Sequence, residues 1–308
     1  MQAHTPQIVV VGSLNMDLVT RTARRPARGE TLLGESFGMF VGGKGLNQAI
    51  AAARQGAAVR MVGRLGGDDF GRRLRQTMAA ESIDAQYVAE DDSTSTGIAT
   101  IVVDAEGDNS IIVVSGANGH VGPADVERAA AAITGADALM LQLEVPLDAV
   151  IRAAQIARTA GVRVLLNPAP ARPLPDELLR LVDVLTPNET ETQILTGQRI
   201  DDDESAVRAA DALLARGVGA AVLTLGARGA LLAVGTGHTR IPGYNVQVVD
   251  TTAAGDAFCG ALAAQLARGR PLAEAVRYAN AAGALATTVL GAEPAMPRLD
   301  AVERLVGG

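Results

Sequence analysis

The sequence predicts an α/β fold: a three-layer sandwich with a mostly parallel central sheet between helices, plus a small β lid. Three observations predict it. From residue 58 onward, short β-branched runs alternate with apolar-periodic helical stretches, the pattern of a parallel sheet covered by helices. Polar and small residues gather just beyond the ends of those runs, where open α/β sheets bind ligands. Two strand-rich pieces, about 17–40 and 96–115, interrupt the alternation and suit one small sheet outside the core. The chain has 308 residues, enough for a single large domain of this kind.

The elements follow in order. Ile8-Val-Val-Val11 reads as a buried strand running into Gly12-Ser-Leu-Asn15-Met-Asp17. Asn15 and Asp17 are placed to hydrogen-bond a polar ligand; an Asx turn is the structural alternative. Strands are expected at 18–20 and 31–33, around a turn-rich segment. Val41-Gly-Gly-Lys44-Gly-Leu-Asn47-Gln48 reads as a glycine-rich turn entering a helix. Its glycines would admit a small ligand close to the backbone, or would simply make a tight turn. Residues 96–103 and 109–114 flank a glycine-containing loop, a hairpin pattern.

The alternation then predicts strands at 59–62, 138–143, 162–166, 184–186 and 221–225. Helices are predicted at 69–80, 123–133, 146–160 and 206–215, with another starting at 187–191. Residues 230–234 look like a local antiparallel addition. The last third holds a strand-like run at 246–249, then small residues, then a helix from Asp256 to Arg268, paired with an apolar helix over 271–288. Small residues at a helix start expose N–H groups that lack partners within the helix, and the macrodipole favours an anion there. Asp256 in that first turn is either a base beside the anion or an ordinary first-turn acid.

Composition narrows the function. Hydrophobic residues make up 48% and charged residues 20%, normal for a globular protein. The net charge of −7 gives no basic nucleic-acid surface. No apolar run is long enough to span a bilayer. Met1-Gln-Ala-His-Thr-Pro lacks a basic region before an apolar core, so no export signal is expected. Cys259, the single cysteine, permits no internal disulfide, and a cytoplasmic location is expected. Lys44 is the sole lysine among 27 basic residues, which singles it out within the glycine-rich turn. Neither G-x-x-x-x-G-K-[ST] nor G-x-G-x-x-G is present, which disfavours a Walker loop and a dinucleotide-binding dehydrogenase.

Gly42-Gly43-Lys44-Gly45-Leu-Asn47, Asn188-Glu-Thr-Glu191 and Asp250-Thr-Thr-Ala-Ala-Gly-Asp256 together resemble the ribokinase (PfkB) family of carbohydrate kinases. Further carriers are Gly12-Ser-Leu-Asn15-Met-Asp17, Leu141-Gln-Leu-Glu144-Val-Pro-Leu, Leu166-Asn-Pro-Ala-Pro-Ala-Arg172 and Leu185-Thr-Pro-Asn-Glu189, and the match runs the whole chain in family order. The resemblance implies a ribokinase-like fold and an ATP-dependent transfer to O5 of D-ribose. It implies Asp256 as general base, with Ala253, Ala254 and Gly255 as the anion hole. Asn15, Asp17, Gly42, Gly43, Lys44, Asn47 and Glu144, with Asp256 itself, would hold the sugar. Asn188, Thr224, Gly226, Ala227, Gly229 and Asn280, with Ala254 and Gly255, would bind ATP. Glu191 would organise Mg²⁺ through water. Asp250 and Thr252, with backbone oxygens near Ala286, Val289, Gly291 and Ala295, would hold a monovalent cation, with K⁺ expected. Ala295 stands where relatives can carry serine. A homodimer paired through the lid is also implied. Another sugar such as 2-deoxyribose, or a sugar- or nucleotide-binding protein without turnover, are the competing readings.

Overall fold

A computed structural model, describing residues 4–308, has the expected sandwich. The strands in chain order are β1 (Gln7–Val11), β2 (Asn15–Arg21), β3 (Ser36–Gly42), β4 (Ala58–Gly66), β5 (Asp84–Asp91), β6 (Gly97–Val103) and β7 (Asn109–Val114). They continue with β8 (Ala138–Leu141), β9 (Arg163–Leu166), β10 (Val184–Leu185), β11 (Ala220–Thr224), β12 (Ala230–Val234) and β13 (Gly237–Ile241). Nine of them form the central sheet in the order β13-β12-β11-β10-β9-β8-β1-β4-β5. It is parallel from β5 through β11, with β12 and β13 added antiparallel.

Strand β1 shows why both faces must be covered. Ile8 and Val10 belong to one hydrophobic cluster and Val9 and Val11 to the other, and all four are fully buried. Successive side chains point to opposite faces, so a continuous β-branched run demands helices on each side. One face packs the helices Lys44–Arg54, Ala254–Ala267 and Leu272–Ala286; the other packs Leu147–Thr159 and Asp203–Ala215. The helix Ala254–Ala267 is apolar around its whole circumference, since it lies between its two neighbours. Because β1 is flanked by β8 and β4, the chain order reverses beside it. The loops after β1 and β8 therefore open a crevice at the carboxyl edge.

The second sheet, β3-β2-β6-β7, is assembled from two separate pieces of chain, as the strand-rich segments predict. Its members differ from expectation in one place. Residues 31–33 are not a strand; the partner of β2 is Ser36–Gly42. Gly38 and Gly42 disguise that strand, and Gly42 is required there. A Cβ on it would lie 2.5 Å from Asp17 Oδ1, so the Asp17 carboxyl occupies the space of the missing side chain.

Other expectations are corrected. Residues 246–249 form no strand: Val249 and Asp250 both donate their N–H to the Thr287 carbonyl, and no neighbouring strand pairs with them. The helix expected over 123–133 is two short ones, Pro123–Arg128 and Ala130–Thr134. The strand expected to reach residue 143 stops at Leu141, which frees Gln142 and Glu144 for the crevice. Strand β5 escapes a hydrophobicity reading because it is a charged edge strand. Among the described residues, no helix is long and apolar enough to cross a membrane. The absence of an export signal rests partly on residues 1–3, which lie outside the described residues.

Candidate active site

The helix Ala254–Ala267 begins in an unusual way. Its N-cap, Ala253, sits in the left-handed region at φ 57°, which turns the chain sharply into the helix without any side-chain cap. Among the described residues the Gly255 N–H has no partner, and a Cβ added to Gly255 would meet nothing within 4 Å. The Gly255 amide, at the positive end of the helix dipole, thus borders open space, while the Ala254 N–H donates to Thr251 O at 3.3 Å.

Asp256 does not cap this helix. Its carboxylate accepts Asn47 Nδ2–H at 3.1 Å and Gln48 Nε2–H at 3.0 Å, both from the helix Lys44–Arg54. It is only 6% exposed. Burial pushes its pKa up, while Lys44 and the two amides pull it down and Glu144 adds to the rise. The meeting of the two helices depends on Gly260. A Cβ there would overlap Ala51 Cβ and lie 2.7 Å from Ala52 N, so only glycine lets the helices approach closely enough.

The neighbouring polar groups come from three loops. Glu144, just past β8, accepts the Ser13 hydroxyl at 2.5 Å and the Lys44 backbone N–H at 3.0 Å through the same oxygen. It thereby supplies the N-terminal cap that Gly43 cannot. Gly43 has φ +89° and packs with its α-carbon against Leu14 and Asn15, a close approach open only to glycine. Asn118, buried and from a short 3₁₀ turn, accepts Leu14 N–H and donates to both Leu14 O and Asn15 Oδ1. Asp17 is pushed up to about 7, first by burial and then by Glu144 and Asp256, with Lys44 opposing. The Lys44 ammonium stands among Asp256, Glu144 and Glu191, which raise its pKa against the effect of burial. Among the described residues it makes no ion pair within 4 Å, so it keeps its donors for a ligand.

A cleft of about 840 Å³ opens on the other side of Gly255. Asn188, Thr224, Gly226, Ala227, Gly229, Ala254, Gly255 and Asn280 all line it, every one of them expected from the sequence. Asn188 caps the helix Glu189–Thr196 in a reciprocal pair: its side chain accepts Glu191 N–H at 2.8 Å and Glu191 Oε2 accepts Asn188 N–H at 2.8 Å. Asn280 is held by Ile241 O and Pro242 O.

The third group lies beside the anion-hole turn. Asp250 Oδ1 accepts the Thr252 N–H and hydroxyl at 2.9 and 2.7 Å, and Oδ2 accepts Gly291 N–H at 2.9 Å. These bonds hold its carboxyl below the usual carboxylate range despite burial. No hydrogen bond joins Ala286, Val289 or Ala295 to Asp250 among the described residues. Nor do three or more His, Cys, Asp or Glu side chains cluster to hold a metal among them, so a bound ion would draw largely on carbonyl or ligand oxygens.

Comparison with known proteins decides the family. The model of the pfkB family of carbohydrate kinases matches residues 5–299. The chain belongs to this family of carbohydrate kinases. It is 42% identical over 290 residues to a ribokinase of Haemophilus influenzae, covering 94% of this chain and 95% of that protein. It is 36% identical to a deoxyribokinase of Salmonella typhi, with 95% and 96% covered. The structure of Arabidopsis thaliana ribokinase complexed with ribose and ATP superposes with a TM-score of 0.92 at 34% identity, covering 99% of this chain and all of that one.

Several site residues of this kinase escaped the sequence reading. Asn118 carries no local chemical signature, and Ser13 lies in a family motif without a role assigned to it; only the fold brings them to Asn15 and Glu144. Gln142 and Asn167 lie inside motifs that mark the family and Gln48 directly follows one, yet their contacts with one another join segments far apart in the chain. Val246 and Val248 line the large cleft from a segment that looks like a strand and is not one.

Proposed function

We propose that the protein transfers the γ-phosphoryl group of ATP to O5 of D-ribose. The observation that carries this reading is the position of Asp256. A buried carboxylate, accepting bonds from two side-chain amides, stands one residue from an unpartnered backbone N–H, between a small polar crevice and a large cleft. Phosphoryl transfer asks for positioning and for stabilisation of spread negative charge, more than for covalent help. Asp256 takes the proton of the sugar hydroxyl as O5 attacks in line. The amides of Ala253, Ala254 and Gly255 receive the transferring group; a preorganised donor of this kind contributes on the order of 3 kcal/mol.

Asn15, Asp17, Asn47, Glu144 and Lys44 hold the sugar hydroxyls, and Gly42 and Gly43 let the backbone come close. An uncharged polyol offers only donors and acceptors, so a missing hydroxyl leaves a buried partner unpaired. Asn188, Thr224, Gly226, Ala227, Gly229 and Asn280 hold the nucleotide in the large cleft. Residues 17–40 and 96–115 act as a lid that keeps water from the γ-phosphate within a single kinase domain.

Two ions fit the donor sets. Mg²⁺ on the phosphates would neutralise developing charge, with Glu191 reached through water; one carboxylate oxygen of Glu191 is engaged at Asn188 and the other has no side-chain partner. Asp250 is held ionised and has no cationic partner within 4 Å among the described residues, which suits a monovalent cation such as K⁺. Thr252 and backbone oxygens near Ala286, Val289, Gly291 and Ala295 would complete that site and stiffen the anion-hole turn.

The small sheet exposes Phe37, Ile111 and Ile112, the last at 67% exposure. Such a patch suits pairing with a second copy through the lids. A coupled ADP-release assay with D-ribose, Mg²⁺ and K⁺ tests the reaction, and native mass measurement tests the dimer. The deoxyribokinase relative makes 2-deoxyribose the sugar to set against ribose: preferred turnover of the deoxy sugar overturns the substrate assignment.

A further inference from the structure

The polar contacts of Asp256 extend well past its first neighbours. Gln48 Nε2 donates to Asp256 Oδ1 at 3.0 Å and also to Asn167 Oδ1 at 3.1 Å. Gln48 Oε1 in turn accepts Gln142 Nε2–H at 2.7 Å. Asn167 is fixed by donating to Thr186 O at 3.0 Å. Gln48 is 1% exposed and Gln142 is fully buried, so both amides find their partners within the protein. Gln142 fits only because residue 12 is glycine: a Cβ at Gly12 would overlap its Oε1.

These contacts have a direction. A carboxamide presents a donor at one end and an acceptor at the other. Asn167, whose N–H₂ is held by Thr186 O, presents its Oδ1 and obliges Gln48 to turn its N–H₂ toward Asn167 and Asp256; Gln142 donates into the Gln48 Oε1 that remains, while its own Oε1 has no partner among the described residues. Were Gln48 reversed, its oxygen would face a carboxylate oxygen, and two acceptors would meet in a buried site. The amide row is therefore arranged for an ionised Asp256. Asn47 holds the second carboxylate oxygen, so the base is gripped at both oxygens.

We propose that Gln48 is a positioning residue for the general base, and that Gln142 and Asn167 fix its amide so that it stabilises the Asp256 carboxylate and aims it at the sugar hydroxyl. This rests on the assignment of Asp256 as base. The groups that surround that carboxylate are Lys44, Asn47 and Gln48 from one helix, Glu144 beyond β8, Asp17 from the small sheet, Glu191 beyond β10 and Cys259 from its own helix. No histidine is among them: the three in the chain bond Asp137, Asp91 and Asp211 elsewhere. The acid limb of the pH–rate profile therefore reports on the carboxylates of this site, and Gln48 is the neutral group whose removal moves it.

The test compares the wild type with Gln48→Leu and Gln142→Leu, each as the full chain, across pH 5 to 9 with D-ribose, ATP, Mg²⁺ and K⁺. Losing a hydrogen bond to a charged group lowers kcat of Gln48→Leu about 10- to 100-fold at neutral pH. KM for the sugar stays within about threefold, because Gln48 does not touch it. Without this donor the protonated base is favoured, so the acid limb of kcat/KM moves up by about one to two pH units, and the deficit narrows as pH rises. Gln142→Leu shifts the same limb by less, and keeps the proposal testable if Gln48→Leu does not fold. In an Asp256→Asn background, Gln48→Leu costs nothing further, since the partner is already neutral.

An unmoved acid limb in both variants, or a loss that is equal at every pH and additive with Asp256→Asn, means that Gln48 only fills space and overturns the proposal. A wild-type rate retained by Asp256→Asn alone overturns the underlying reading instead, so the two failures are distinguishable.

Discussion

On the sugar side of Asp256, polar side chains meet in pairs: Ser13 with Glu144, Asn118 with Asn15, Gln48 and Asn47 with Asp256. On the nucleotide side, the cleft is lined by glycines, alanines, Val246, Val248 and Phe258, interspersed with Asn and Thr residues whose side chains, such as those of Asn280 and Thr287, bond mostly backbone carbonyls. The first region is buried and wired before any ligand arrives. The second is open, and offers backbone and apolar surface. The ligands proposed for the two regions account for the difference. A pentose presents hydroxyls that must each be matched, so its site stores specificity in oriented amides and carboxylates. A nucleotide presents a flat apolar base, which asks for shape, and phosphates, which ask for amides at a helix start.

If this contrast is correct, the largest effects lie where the wiring meets the chemistry. Asp256→Asn is expected to lower kcat by about 10²- to 10⁴-fold, because a positioned base is removed. KM for both substrates changes less than kcat, although the amide sets its N–H₂ against the Asn47 or Gln48 donor. Steady-state kinetics with each substrate varied checks this, and a variant that keeps most of its kcat removes Asp256 from the role.

A smaller effect is expected from Gly260→Ala. The added methyl meets Ala51 Cβ and Ala52 N and forces the two helices apart. Overpacking of this kind costs about 1–3 kcal/mol of stability, readable in urea unfolding. It also lengthens the bonds from Asn47 and Gln48 to Asp256, so kcat falls by about tenfold while the nucleotide side, measured as ATP affinity, is left intact. Equal losses in sugar turnover and in ATP affinity would break the comparison between the two regions.

Asp17 sharpens it through pH. Its carboxyl titrates near 3.8 in the unfolded chain and at about 7 in the fold. Below 3.8 both states are protonated, and Asp17 costs nothing. As pH rises toward 7 the unfolded chain gives up the proton and the fold retains it, so folding stability falls through that window and levels off above it. Asp17→Asn removes this fall. The ligand-free variant should melt several degrees above wild type at pH 8 and together with it at pH 4, while KM for the sugar rises about tenfold from the lost charged hydrogen bond. A melting difference independent of pH would mean that Asp17 is not held protonated. The trade is the expected one for a site wired in advance, with like charges kept close for a ligand to separate.

The two regions were also unequally legible in the sequence. Strand β1, the parallel alternation and the helix beginning at Asp256 follow from runs of β-branched residues and from small residues at strand ends, which are local properties. Glu144 and Asp256 stand out because each is polar where a strand or turn meets a helix, Lys44 because it is the sole lysine, and Asn47 only through the family resemblance. Ser13, Asn118, Gln142 and Asn167 do not, since their role is to bond groups up to 131 residues away, and no local pattern encodes that. The opposite error arose at residues 246–249. Alternating valines there imitate a strand, but the periodicity reflects side chains turned toward the nucleotide cleft. The same alternation serves either purpose, and only the presence or absence of a pairing partner tells them apart.

That segment supplies the mildest prediction. Val248 is 60% exposed and lines the cleft without any partner strand, so its side chain contributes to folding only weakly. Val248→Ala removes two methyl carbons from the apolar wall and should raise KM for ATP by about 3- to 10-fold, in line with the cost of losing one or two buried carbons on binding. The melting temperature of the ligand-free protein, KM for the sugar and the acid limb of the pH profile should not move. This is the pattern of a region that recognises by contact area, where truncation weakens affinity in proportion to surface and leaves the chemistry untouched. A Val248→Ala variant that lost kcat while keeping its affinity for ATP would mean that the segment takes part in orienting the transfer, and that the division between a wired side and a shaped side runs elsewhere.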